Sequence, residues 1–126
     1  MIQTVEKFND YTTNISNGGT VTHAADTAGN IMYVHPGTVS GNWTLNVTGI
    51  NLNAGFAAAM TVVIAQGSTA YMPTTFQLST STQTVTWQGS GTMPTGNNSK
   101  TDVLVYSILC TSTSTYTVLG QLVSFG

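Results

Sequence analysis

The chain has 126 residues and a formal net charge of −2, with only 5 % of its residues charged, against about 25 % in a typical soluble domain. Arginine is absent, and the stretch from Thr27 to Ser99 holds no Asp, Glu, Lys or Arg, so no basic cluster exists to follow a phosphate backbone or an anionic lipid surface. Nucleic-acid and membrane partners are therefore excluded as the main business of the chain, while a hydrophobic fraction of 40 % is enough for one folded domain.

The opening MIQTVEKFND carries most of the charge and little alternation. It lacks the positive stretch and apolar run of a secretory signal, so synthesis in the cytoplasm is expected. Residues 1–25 read as an extended N-terminal arm, with Ile2, Val5, Phe8, Tyr11 and Ile15 as its apolar contact residues, and 26–126 as the folded domain. Deleting residues 1–20 is then expected to leave that domain folded.

Trp43, Leu45 and Val47 alternate with Thr44, Asn46 and Thr48, the period-2 signature of a half-buried strand. AGFAAAM at 54–60 is the one helical temptation, but it runs into the β-branched TVVIA and reads as the lead-in to a strand. QTVTW at 83–87 alternates again. MTVVIA, VLVYSILC and YTVLGQLVSF are more continuously apolar, as expected of strands covered on both faces. Turn-forming clusters separate these runs: NGG at 17–19, HPG at 35–37, SGN at 40–42, GSGTMPTGNNS at 89–99 and TSTST at 111–115. Short strands with such punctuation predict an all-β single domain, an antiparallel β-sandwich or jelly roll.

Motifs for chemistry are sparse. Four carboxylates (Glu6, Asp10, Asp26 and Asp102), three of them in the expected arm region or just beyond it, do not suggest an acid–base pair. A Gly-x-Ser-x-Gly elbow is missing, so no enzyme is expected. His23 and His35, with Asp26, are the only conceivable metal ligands, and their spacing favours turn and strand-end histidines over a metal site. The single cysteine, Cys110, lies in an apolar run and reads as a small core residue. No cofactor is expected. Tyr71 and Trp87, flanked by Gln and Thr near the 88–101 loop, are the candidate glycan contacts.

Two lysines are too few to blunt exposed sheet edges in the usual way, which points to edges covered by companion chains. GNWTLNVTGI at 41–50, TVVIAQGSTAYMPTTFQL at 61–78, TVTWQGSGTMPTGNN at 84–98, DVLVYSILC at 102–110 and TYTVLGQLVSFG at 115–126 resemble small virion structural proteins of tailed bacteriophages, of the cyanophage tail-fibre and decoration-like kind. The resemblance implies a symmetric β-sandwich, a homotrimer, mounted on the virion. As a capsid decoration or cement protein it would bind the major capsid protein through its arm and edge strands. The alternatives it leaves open are a tail component (baseplate, collar or fibre tip) and a module that binds a host-surface glycan.

Overall fold

The computed structural model describes residues 8–25 and 32–126. Ten strands account for its regular structure: β1 Asn9–Asp10, β2 Thr20–Ala24, β3 Met32–His35, β4 Trp43–Thr48, β5 Ala57–Ala65, β6 Pro73–Leu78, β7 Ser81–Gln83, β8 Val85–Trp87, β9 Thr101–Ser112 and β10 Thr115–Phe125. They form a six-stranded sheet in the order β1-β3-β5-β9-β10-β8 and a four-stranded sheet in the order β2-β4-β6-β7. The all-β expectation holds.

The antiparallel expectation does not, because both sheets are mixed. From β1 to β6 the chain changes sheet at every strand, so each strand arrives beside the one two places earlier running in the same direction. The result is parallel pairing of β1 with β3, β3 with β5, β2 with β4 and β4 with β6. Only then does the chain turn back on itself: β6–β7 is a tight hairpin with Ser79 and Thr80 at positive φ, and β9 runs antiparallel to both β5 and β10. The first half of the chain is thus a coil, closed by a long C-terminal hairpin, and not a succession of hairpins.

Alternation decides what each strand buries. Val21, Trp43, Leu45, Val47, Phe76 and Leu78 from the small sheet share one core with Tyr33, Met60, Val62, Ile64, Leu104, Tyr106 and Ile108 from the large sheet. Phe76 stacks on Tyr106 with ring centroids 4.7 Å apart, and His35 tilts against Trp43 at 5.4 Å. Cys110 is buried, as expected of a small core residue.

The segment expected as an arm is described from Phe8 to Ala25. Phe8 is 50 % exposed, but Tyr11 packs against the core, and Ile15 is only 3 % exposed and bridges to Val39. Further along, β2 pairs in full with β4. At Gly41 an added Cβ would fall 2.5 Å from the Asn17 Cα, so residues 15–24 are fitted closely onto the domain. The physical reason is coil winding: β1 and β2 supply its first turn. Ile2 and Val5 lie outside the described residues.

Candidate assembly face

The two sheets differ in what they turn away from the core. On the small sheet the parallel registers place Thr20 beside Thr44 and Thr44 beside Thr75, then Thr22 beside Asn46 and Asn46 beside Gln77. Asn46 donates to Thr22 Oγ1 at 3.3 Å and accepts from the Thr80 amide at 2.8 Å. This is a hydroxyl and amide face suited to water.

The large sheet is the opposite. Its core-facing positions on β9 are Asp102, Leu104, Tyr106, Ile108 and Cys110, so Val103, Val105, Ser107 and Leu109 face outward. The antiparallel registers set Val63, Thr61, Ala59 and Ala57 of β5 beside them on one side, and Val123, Gln121, Leu119 and Thr117 of β10 on the other. Met32 and Val34 of β3 continue the layer. Leu119 is 43 % and Phe125 57 % exposed. Across β3, β5, β9 and β10 this outward surface carries no ionic side chain. Among the described residues, the three strands whose sequences predict cover on both faces are covered by their own chain on one face only.

A recess of about 300 Å³ lies on this side, where short β8 stops beside β10, lined by Thr86, Gln88, Val105, Ser107, Leu119 and Gln121 among others. The edges, by contrast, are modest. β1, β7 and β8 have two or three residues each and β2 has five, and shortness is itself a way to blunt an edge. Among the described residues the uncharged apolar surface thus lies on a face more than at the edges.

Of the two candidate glycan contacts, Trp87 is 5 % exposed, with its ring over Gly120 and packed edge to face with Tyr106, ring centroids 5.7 Å apart. The ring is thus held in the core, whereas a sugar contact would need an exposed face. Alternation explains it: Trp87 shares a register position with core-facing Gly120. Tyr71 is half-buried in a recess of about 340 Å³, which adjoins one of about 320 Å³ through Thr74 and Met93. The two residues thus belong to different recesses.

Two polar clusters went unread in the sequence. His23 and His35 meet with their Nε2 atoms 3.1 Å apart, and the His23 ring stacks on Tyr33 at 3.9 Å. Burial lowers His23 to about 4. Burial, then the neighbouring His23, lowers His35 to about 3. One N–H between two neutral imidazoles fits this geometry. Among the described residues no three His, Cys, Asp or Glu side chains gather as metal ligands. Asp102, fully buried, accepts from the Asn97 amide and the Asn97 side chain at 2.8 Å each and from Gln66 at 3.1 Å. Gln66 also donates to the Tyr71 carbonyl and accepts from the Tyr71 amide. The network ties the 94–100 loop to the wall of the Tyr71 recess. A carboxylate placed directly before VLVYSILC, on an inward register position, was the signal for it.

Comparison of the chain with protein-family models, with curated proteins and with solved structures finds no match in any of the three.

Proposed function

We propose that the chain is a non-enzymatic β-sandwich module that works by assembling with other protein chains, as a structural component of a tailed-phage virion and, within it, a capsid decoration protein. The observation that carries the assembly reading is the uncharged apolar outer surface of β5, β9 and β10. Monomeric proteins rarely leave a contiguous apolar patch of more than a few hundred Å² in water. The virion setting comes from the sequence resemblance, and the scarcity of ionic side chains agrees with a surface meant to be matched by protein neighbours without desolvating charge.

The mechanism is mechanical. A preformed sheet pair presents a rigid surface, and many contacts of modest strength act together once copies are held on a common lattice. The test is the amount of this chain in purified particles. Decoration predicts abundance comparable with the major capsid protein, whereas a tail part would be far scarcer. Complete absence from particles would overturn the virion reading.

A further inference from the structure

We infer that the outer face of the six-stranded sheet joins two copies of this chain, sheet against sheet about a two-fold axis. The inference rests on the assembly reading above and names its first partner, the chain itself.

Four observations carry it. First, MTVVIA, VLVYSILC and YTVLGQLVSF carry apolar residues on both faces, and the second face of each is the surface that the described residues of their own chain leave open. The outer face of the small sheet shows the alternative within the same molecule, a layer of Thr, Asn and Gln in which the buried Asn46 is satisfied by Thr22 and the Thr80 amide.

Second, a two-fold contact brings each patch against itself, so any charge near the axis meets its own like. Among the described residues the outward face from β3 to β10 has none: Asp102 of β9 points into the core, and Asp10 lies on the marginal strand β1.

Third, the area is of the right order. A strand residue covers about 16 Å² of sheet, from a rise of about 3.3 Å and a strand spacing of about 4.8 Å. Strands of 9, 12 and 11 residues, flanked by shorter β3 and β8, therefore offer on the order of 600 Å² in projection, before side-chain relief is added. A standard interface buries about 800 Å² per partner.

Fourth, the face carries both relief and its complement. Leu119 and Phe125 stand out on β10, and the recess of about 300 Å³ opens beside Leu119, which forms part of its wall. A two-fold axis close to that wall would bring the Leu119 of each copy to the recess of the other. Sheets so paired would sit about 10 Å apart with interleaved side chains.

The test is mass in solution, by light scattering on a sizing column, for the full chain and three variants. Val105→Lys and Leu119→Lys place a charge on the face, while Thr44→Lys places one on the outer face of the small sheet. The wild type and Thr44→Lys should run as dimers, and both face variants as monomers with an unchanged circular dichroism spectrum. Leu119, already exposed, keeps the test valid if Val105→Lys fails to fold. A monomeric or trimeric wild type would overturn the inference, as would a folded Leu119→Lys that stays dimeric. Co-sedimentation with particles separates the two readings. A monomer that binds particles defeats the dimer and leaves the virion role standing; a face-dependent dimer absent from particles does the reverse.

Discussion

His23 on β2 and His35 on β3 face each other across the boundary between the two sheets, Nε2 to Nε2 at 3.1 Å. The contact depends on both rings staying neutral, because a proton added to each would set two cations in contact in a buried site.

Stability should therefore fall on mild acidification. In the unfolded chain both histidines titrate near 6.5, while in the fold they are held at about 4 and about 3. Between those values the unfolded state binds more protons, so stability is full above about 6.5 and is lost as pH falls toward 4, by up to about 1.4 kcal/mol per pH unit for each ring. Urea titrations at pH 7.5 and 5.0, above the range where most carboxylates titrate, measure this directly. Equal midpoints at the two pH values would refute it.

Replacing Trp87 should damage the fold before it affects any ligand. Its ring occupies the space above Gly120, where a Cβ would fall 2.8 Å from ring carbon and from Val85. Gly120→Ala should cost about 1–3 kcal/mol by overpacking, and Trp87→Ala about 3–5 kcal/mol by leaving a cavity. Thermal melts of the two variants give the comparison, and a Trp87→Ala protein as stable as the parent would contradict the packing described.

The Asp102 network predicts a local effect with a global cost. Asp102→Ala removes the acceptor for both Asn97 donors and for Gln66, leaving inward-facing groups unpaired at a cost of about 2–4 kcal/mol. Amide exchange at Asn97 should accelerate more than exchange in β4, on the far sheet. Uniform acceleration would mean that the carboxylate does not anchor the loop.

The N-terminal segment offers a sharp contrast between neighbours. Ile15→Ala should cost about 2–4 kcal/mol because that side chain is in the core. Phe8→Ala, at a half-exposed position, should change stability by about 0.5 kcal/mol or less. Deletion of residues 1–20 should unfold the protein, contrary to the expectation of a detachable arm, since it removes β1, Ile15 and the start of β2. A stable, cooperatively melting deletion product would restore the arm.

Much of this was readable from residue order. Trp43, Leu45 and Val47 point into the core as their alternation requires, and Cys110 is buried as its apolar neighbours imply. Trp87 was misjudged because its position at a strand end beside a glycine-rich loop suggested exposure, whereas its inward phase placed it over Gly120. Ile15 was not legible as a core residue, because weak local alternation hides a side chain that is buried beside a bridge to Val39, more than twenty positions away.

The sequence by itself determined the all-β class, the inward face of each long strand and the absence of charge over the middle of the chain. These are local properties, set by a side-chain period of two and by composition. Only the tertiary structure decided that β1 to β6 wind in parallel, that His23 meets His35, and that the described residues leave one apolar face of β5, β9 and β10 uncovered. Those outcomes depend on which strand lies beside which, and that is fixed by connections crossing between sheets, about which the periodicity of a single strand carries no information.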